Sequence, residues 1–231
     1  MNILAMDTST QVMGVSILKN NEIRTEIVTN IPKNHSVRLM PAIEQAMNLV
    51  GLEPKELDKI VTTIGPGSYT GIRIGLTTAK TMGWALNIPV VGVSSLEVMA
   101  YQGRFFEGYI CPFIDARRGM VFAGVYQWKQ NELYLVYEEK NISMEKVLNK
   151  LKEDGMPVLF LSPDMKIHEG QIKEVLAEKA VIPEQPHQLI RPGFIGLAGS
   201  KKDPASVHEL TPNYLRLAEA EAKWLNRMKE K

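Results

Sequence analysis

The chain has 231 residues, of which 45% are hydrophobic and 23% are charged, as in an ordinary globular protein. Its formal net charge of +1 argues against tight nucleic-acid binding by the chain alone, because such proteins carry a marked basic excess. The single cysteine, Cys111, excludes an internal disulfide, and no apolar run could span a bilayer or form a signal-peptide core, so we expect a cytoplasmic protein.

The first hundred residues alternate β-rich runs with helical patterns. NILAM and GVSILK flank the polar turn DTSTQV and predict a hairpin, and IRTEIVTN predicts a third strand. A helix is predicted over 36–50, with Ser36 as its N-cap and Gly51 as its stop. Its apolar side carries Val37, Met40, Ile43 and Met47. KIVTTIG and VVGVSS predict two more strands, each followed by a helix.

The order of elements restarts after residue 106. Three strands are predicted first, in YICPFIDAR, MVFAGVYQW and LYLVYEEKNI. They are followed by a helix in SMEKVLNKLKEDG, a strand in PVLFLS, a helix in GQIKEVLAEK and a strand in AVIP. PEQPHQLIRPG reads as a connector and AEAEAKWLNRMKEK as a polar terminal helix. The repetition predicts an α/β protein with two lobes, 1–106 and 107–231, each a mixed sheet flanked by helices.

The glycine-rich stretch GPGSYTGIRIG, residues 65–75, lies between a strand and a helix, where phosphate-binding loops occur. Ile72 rather than lysine follows Gly71, so the P-loop pattern is absent. Thr70 occupies the place of the third glycine of a dinucleotide-binding loop. A tight turn that needs glycine conformations explains the same residues, and we favour it because no ligand-specific residue completes either motif.

Polar turns stand at matching places in the two lobes. Asp7, Thr8 and Ser9 belong to DTST, and Asp115 belongs to DARRG. These residues either face a phosphate or cap their own backbone, which is the more common use of such residues. The four histidines lack metal-ligand spacing, and no nucleophile–base arrangement can be argued, so we expect neither a metal nor a cofactor.

Small residues recur every four positions along the second helix, at Gly71, Gly75, Ala79 and Gly83. Each interior glycine costs about 0.8–1 kcal/mol relative to alanine, so the stripe indicates that another backbone approaches closely. That neighbour belongs either to this chain or to a second subunit, and internal packing is the more common of the two.

Five segments of the chain point to a known family: ILAMDTST, GPGSYTGIRIGLTTAK, GVSSLE, DARRGMVF and PNYLRLAEAE. Together they closely resemble the bacterial TsaB (YeaZ) proteins. The resemblance implies an actin/Hsp70-like (ribonuclease H-like) fold with two lobes. It also implies a role in the threonylcarbamoylation of adenosine 37 in tRNAs that read codons beginning with A. In that pathway the related subunit TsaD performs the transfer, TsaB binds and activates TsaD, and the ATPase TsaE joins the pair.

The same resemblance implies that this chain is not itself an enzyme. Catalytic relatives carry GVHHLEAH where this chain has GVSSLEVM, so Ser95 and Met99 replace two metal-binding histidines. A hydroxyl and a thioether bind hard or borderline metals poorly. The loops of the former nucleotide site would be vestigial, and they contain Asp7, Thr8, Ser9, Gly65, Gly67, Ser68, Arg73 and Asp115.

In the family, helices equivalent to 36–50 and 70–86 pack against the matching pair of TsaD, and some members self-associate there. The interface predicted here comprises Val37, Met40, Ile43, Met47, Gly71, Gly75, Ala79 and Gly83. We expect tRNA to bind only through the complex. Arg216 and the basic residues of 223–231 are candidates for direct tRNA contacts. Their alternation with glutamate is, however, typical of a helix that faces solvent. The alternative function is a residual ATPase or small-molecule kinase of the actin-like superfamily, with a nucleotide bound through Asp7, Thr8, Ser68 and Arg73.

Overall fold

A computed structural model describes residues 1–32, 34–204 and 206–216. Within them, ten strands form two five-stranded mixed sheets. The predicted terminal helix AEAEAKWLNRMKEK lies outside the described residues, as do the basic positions of 223–231.

The two sheets have the same topology. The first contains β1 (Asn2–Asp7), β2 (Val12–Lys19), β3 (Glu22–Asn30), β4 (Lys59–Thr63) and β5 (Val90–Val93) in the order β3-β2-β1-β4-β5. The second contains β6 (Tyr109–Asp115), β7 (Met120–Lys129), β8 (Glu132–Ser143), β9 (Val158–Leu161) and β10 (Ala180–Val181) in the order β8-β7-β6-β9-β10. In each sheet the first three strands pair antiparallel and the others parallel, so the predicted repeat of elements is confirmed.

Six α-helices flank the sheets within the described residues: α1 (His35–Leu49), α2 (Tyr69–Leu86), α3 (Ser95–Ala100), α4 (Met144–Asp154), α5 (Met165–Leu176) and α6 (Pro192–Ser200). Side chains alternate across each strand, which sends neighbouring residues into different cores. Leu4 and Met6 of β1 pack in one core with α1 and α2. Ile3 and Ala5 pack in another with α3, α6 and the inner face of the second sheet. Helices α4 and α5 cover the outer face of that sheet.

Several predicted boundaries were wrong. Helix α1 begins one residue earlier than predicted, and its N-cap is Asn34 rather than Ser36. It accommodates Pro41 in its second turn and ends just before Gly51, whose φ of +63° is left-handed, as expected for a glycine stop. Helix α5 also begins earlier, at Met165.

Helix α6 was not predicted, because its first residues were assigned to a connector. It packs against β1, β2 and β4 although it follows the second sheet in sequence. Its glycines permit this contact, since a Cβ on Gly196 would overlap Leu18 and one on Gly199 would overlap Val61. The lobe boundary between residues 106 and 107 stays a prediction. No helix in the described part of the chain combines the length and apolarity needed to cross a membrane.

Candidate functional site

A cleft of about 1010 Å³ lies where the loops of the two sheets meet. Its walls come from the β1–β2 turn, the entrance to α2, the β6–β7 turn and the segment 213–216. These are the loops in which the sequence placed its candidate nucleotide-site residues. Ser9, Gly67, Ser68 and Asp115 line the cleft, whereas Asp7 and Thr8 are buried behind its surface.

The polar groups of the β1–β2 turn bind one another and the neighbouring strand. The Asp7 carboxylate accepts hydrogen bonds from the Ser9 amide, at 2.8 Å, and from the Thr63 hydroxyl. Burial raises the pKa of Asp7, which is only 1% exposed, and its Oδ2 has no hydrogen-bond partner among the described residues. The Thr10 hydroxyl accepts from the amide of Val12. In this turn, DTST therefore uses its side chains to cap its own backbone, which is the second of the two alternatives that the sequence left open.

The glycines of the 65–75 loop let it approach the β1–β2 turn closely. A Cβ on Gly67 would overlap the Ser9 carbonyl, and one on Gly71 would overlap the Thr8 carbonyl. The Ser68 amide donates to the Ser9 carbonyl at 2.7 Å, and the Ser68 hydroxyl caps α2 by accepting from the Gly71 amide. The two loops are therefore in direct backbone contact. A tight turn that requires glycine explains this close approach without a bound ligand.

The corresponding turn of the second lobe carries an acidic pair. Asp115 Oδ1 lies 2.9 Å from Nε2 of the buried His168, and Asp115 Oδ2 accepts from the Arg117 amide. The Asp164 carboxylate accepts from the Asp115 amide at 3.0 Å, and burial raises the pKa of Asp164. Asp115 is thus tied into its own lobe.

Three arginines open onto the cleft beside this pair. Arg117 and Arg118 are exposed and follow one another in the left-handed region, with φ values of +66° and +57°. Arg216 donates from Nη1 to the Ala116 carbonyl at 3.2 Å, so its guanidinium contacts the first residue of the β6–β7 turn. The sequence left DARRG with two alternatives, a loop that faces a phosphate or a turn that caps its own backbone, and it did not connect this segment with Arg216.

A half-buried carboxylate joins the two lobes next to the cleft. Glu139 of β8 accepts hydrogen bonds from the hydroxyls of Ser94, at the end of the first sheet, and Tyr126, on β7. Its second oxygen lies 3.5 Å from the amide nitrogen of Asn213. Burial raises the pKa of Glu139.

Comparisons with known proteins decide the family. The family model described as "TsaD: tRNA N6-adenosine threonylcarbamoyltransferase" matches residues 22–224. The tRNA threonylcarbamoyladenosine biosynthesis protein TsaB of Bacillus subtilis is 46% identical over 229 residues, which cover 99% of this chain and 100% of that protein. The chain belongs to the TsaB family.

Other relatives agree. TsaB of Escherichia coli is 30% identical over 137 residues, covering 58% of each chain. The solved structure of YeaZ from Pseudomonas aeruginosa superposes with a TM-score of 0.79 at 25% identity, covering 92% of this chain and 99% of that one. The predicted fold class, a two-lobed actin/Hsp70-like architecture with a mixed sheet in each lobe, is confirmed.

The positions that would hold the metal histidines of the catalytic relatives are closed to a ligand. Ser95 and Met99 lie on α3 and are both 0% exposed. The Ser95 hydroxyl donates to the Ser9 hydroxyl at 3.0 Å, and Met99 packs in the core between the sheets. In residues 1–32, 34–204 and 206–216, no three His, Cys, Asp or Glu side chains are grouped closely enough to share a metal ion.

Arg73 does not line the cleft. It lies on the exposed side of α2, where its guanidinium stacks 4.0 Å above the Tyr69 ring and its Nε donates to the Tyr214 hydroxyl at 2.9 Å. Both tyrosines line the cleft, so Arg73 stands at its edge. Its assignment to the nucleotide-site loops stays a prediction.

Six of the eight residues predicted at the partner interface are buried inside the chain: Ile43, Met47, Gly71, Gly75, Ala79 and Gly83. The stripe on α2 packs internally, because a Cβ on Gly75 would lie 2.7 Å from the Thr8 hydroxyl and one on Gly83 would overlap Val90. A partner cannot contact these side chains, so the prediction is wrong for them. It stays a prediction for Val37 and Met40.

The outer side of α1 and α2 nevertheless carries exposed apolar side chains. Val37 is 72% exposed, Met40 49%, Leu49 67% and Trp84 72%. A shallow groove of about 390 Å³ runs along α1 between Pro41 and Leu49. Leu49 and Trp84 were missed, although each falls outside the buried face of its helix at the 3.6-residue period.

Proposed function

We propose that the chain is the non-catalytic subunit of a cytoplasmic complex that makes threonylcarbamoyladenosine at position 37 of tRNAs reading codons beginning with A. It binds and activates TsaD, and TsaE joins the pair. The observation that carries the proposal is the 46% identity to a TsaB protein over essentially the whole of both chains. The match to a TsaD family model supports a common ancestry with the proposed partner.

The non-catalytic part of the proposal rests on side-chain chemistry. Ser95 and Met99 supply a hydroxyl and a thioether in place of imidazoles, and both are fully buried. The β1–β2 turn and the α2 entrance are hydrogen-bonded to each other, from the Thr8 hydroxyl to the Gly71 carbonyl and from the Ser68 amide to the Ser9 carbonyl. A kinase or ATPase would need these groups free for its nucleotide.

The exposed apolar residues of α1 and α2 are the proposed docking surface for TsaD, and we call them the helical docking face: Val37, Met40, Leu49 and Trp84. Isolated apolar residues are ordinary on surfaces, so this docking role rests on how strongly the four side chains are exposed on two neighbouring helices. Tryptophan is also enriched among residues that dominate binding energy. In the absence of TsaD, two copies of the chain would form a homodimer through the same face. TsaD and a second copy of the chain would then compete for this surface.

Activation would follow from differential affinity. If the chain binds the tRNA-competent arrangement of TsaD more tightly than other arrangements, docking shifts the population of TsaD toward that state. The surface on the chain needs no chemistry of its own for this effect. This surface needs only to be more complementary in shape to the tRNA-competent arrangement of TsaD than to its other arrangements.

Reconstitution of the modification tests the proposal. Unmodified tRNA is incubated with TsaD, TsaE, ATP and the threonylcarbamoyl-adenylate precursor, with the chain present or omitted, and modified adenosine is quantified by mass spectrometry. We expect modification only when the chain is present. Equal modification without it would refute the proposed role, and turnover by the chain without TsaD would show that it is an enzyme.

A further inference from the structure

We propose that the arginine triad of the cleft, defined as Arg117, Arg118 and Arg216, binds the phosphodiester backbone of the substrate tRNA. This inference rests on the proposed function, because it takes its ligand from the tRNA-modification role. It adds a direct RNA contact to a chain that sequence reasoning expected to meet tRNA only through the complex.

The first observation is charge. All three arginines are exposed and line the same cleft, and the 3.2 Å bond from Arg216 to the Ala116 carbonyl holds its guanidinium beside the β6–β7 turn. Within the described ranges, which stop at residue 216, none of the three forms an ion pair with a carboxylate. The nearby Asp115 carboxylate is engaged by His168 instead. A guanidinium group matches phosphate oxygens in geometry and charge, and three of them line this cleft.

The second observation is backbone conformation. Arg117 and Arg118 both lie in the left-handed region, which asparagine and glycine populate far more readily than arginine does. A hairpin turn gains no stability from arginine at these positions. Residues in sparsely populated backbone regions cluster at functional sites, and here both of them line the cleft.

The third observation is the aromatic character of the cleft. Tyr69 and Tyr214 also line it, their rings stack with centroids 5.0 Å apart, and they are 44% and 38% exposed. The arginine that contacts both rings is Arg73 rather than a member of the triad, and exposed aromatic rings in a cleft that also contains arginines are a surface on which unpaired RNA bases stack. The cleft volume of about 1010 Å³ lies at the upper end of pockets that hold one small ligand, which suits a short unpaired stretch of RNA.

A free nucleotide offers the same phosphate chemistry, but the local geometry favours RNA. The loops that would wrap a nucleotide's phosphates are bonded to each other through Thr8, Ser9, Ser68 and Gly71. The arginines lie on the second-lobe side of the cleft and contact none of these loops through the bonds they make. A phosphodiester chain that passes along the second lobe needs no opening of the Thr8–Gly71 contact.

The test measures binding of an unmodified anticodon stem-loop RNA to the isolated chain and to its complex with TsaD, over a range of salt concentrations. The variant is Arg117→Asn/Arg118→Asn, because asparagine is neutral and tolerates the left-handed region. Lys152→Gln/Lys179→Gln, which removes two exposed charges far along the second lobe, is the matched control. Arg216→Gln provides an independent variant outside the turn.

We expect the double arginine variant to bind the RNA at least tenfold more weakly, and Arg216→Gln several-fold more weakly. Loss of two phosphate contacts should lower the slope of log affinity against log salt by about 1.4–1.8. The lysine control should bind as the wild type does. Equal binding by the arginine variants and the control, or no RNA binding by either wild-type sample, overturns the inference.

Competition with ATP and Mg²⁺ distinguishes the two sources of phosphate. If ATP displaces the RNA, and the chain binds ATP only when the arginines are present, the cleft is a nucleotide site and the RNA inference is wrong. Failure of the wild-type chain to associate with TsaD would refute the proposed function instead. In that case the measurement on the isolated chain still decides whether the triad binds RNA.

Discussion

The Thr8 hydroxyl donates a 2.6 Å hydrogen bond to the backbone carbonyl of Gly71, across 63 residues of sequence. This contact brings the β1–β2 turn against the first turn of α2, where the backbone of Gly71 also meets the Thr8 carbonyl. The glycine stripe that sequence analysis divided between internal packing and a partner surface is therefore an internal contact. Its glycines allow α2 to pack against the β1–β2 turn.

Substitution of Gly71 by alanine should destabilise the fold. The new Cβ would overlap the Thr8 carbonyl, and backbone atoms cannot rotate away as a side chain can. We expect the free energy of unfolding to fall by about 1–3 kcal/mol or more, measured by urea denaturation. Gly75→Leu should be destabilising for a similar reason, so a lost complex in that variant would not locate an interface.

Gly170→Ala is the matched control for Gly71→Ala. Gly170 lies within α5 and its added Cβ would meet nothing within 4 Å. Alanine has the higher helix propensity, so this variant should be more stable than the wild type by up to about 1 kcal/mol. If Gly71→Ala were as stable as Gly170→Ala, the close approach of Thr8 to α2 would be refuted.

The sheets could be predicted from sequence because their strands alternate or are continuously apolar. Helix α6 could not, because Gly193, Gly196 and Gly199 lower helix propensity and Pro192 appeared to end a connector. Those glycines allow the helix to lie close against the first sheet, which is a tertiary reason that no local pattern reveals. Pro192 stands at the first helical position, where proline is favoured.

The candidate site was only partly predictable for a related reason. The sequence identified the turns that border the cleft, since DTST and DARRG occupy equivalent places in a repeated topology. Whether a small or apolar residue faces a partner or the core depends on the rotation of its helix. On α1 the buried side runs through Leu39, Ala42 and Ala46, so Val37 and Met40 turn outward while Ile43 and Met47 turn inward.

Replacement of Glu139 by glutamine should flatten the pH dependence of stability. Burial raises the pKa of Glu139, so the folded state keeps this proton to a higher pH than the unfolded chain does. The resulting stabilisation is complete below the ordinary pKa of 4.5 and is lost as the pH rises through the folded-state pKa. Glutamine does not titrate, and its amide oxygen can still accept from Ser94 and Tyr126.

Urea denaturation at a series of pH values between about 4.5 and 7.5 measures this effect. Wild type should lose more unfolding free energy across that range than Glu139→Gln. Glu138→Gln serves as the control, because Glu138 precedes Glu139 on the same strand but is exposed. Asp7 and Asp164, whose pKa values burial also raises, retain their own pH dependence in every variant. Parallel curves for all three proteins would contradict the assignment of a raised pKa to Glu139.

Cys111 should be inert to thiol reagents in the native protein. It is 0% exposed within β6, and burial raises its pKa from 9.0 to about 12, so the reactive thiolate is scarce at pH 8. Labelling with an aromatic disulfide reagent should be slow without denaturant and fast in urea. Cys111→Ser carrying Ile167→Cys supplies a positive control, because Ile167 is 63% exposed on α5. Rapid native labelling of the wild type would show that the second sheet opens readily.

Charge placed on the helical docking face should separate the chain from TsaD without unfolding it. Trp84 and Val37 are each 72% exposed, so glutamate at either position disturbs little within the chain. At an interface, loss of a central tryptophan costs about 2 kcal/mol or more, and a buried, unpaired carboxylate adds to that cost. We expect Trp84→Glu to weaken the complex by at least about thirtyfold and Val37→Glu by a smaller factor.

Isothermal titration calorimetry and co-elution with TsaD measure these losses, and thermal unfolding verifies that each variant is folded. Ile167→Glu places the same charge at an apolar position on α5 of the other lobe that is 63% exposed, so this variant should bind TsaD normally. The reverse pattern, with Ile167→Glu impaired and Trp84→Glu unaffected, would move the interface to the second lobe. Trp84 stands near the end of α2, whereas the cleft is lined by residues at the beginning of that helix, so a substitution at Trp84 leaves the arginine triad unchanged. A variant that loses TsaD through Trp84 should therefore keep whatever RNA affinity the isolated chain has.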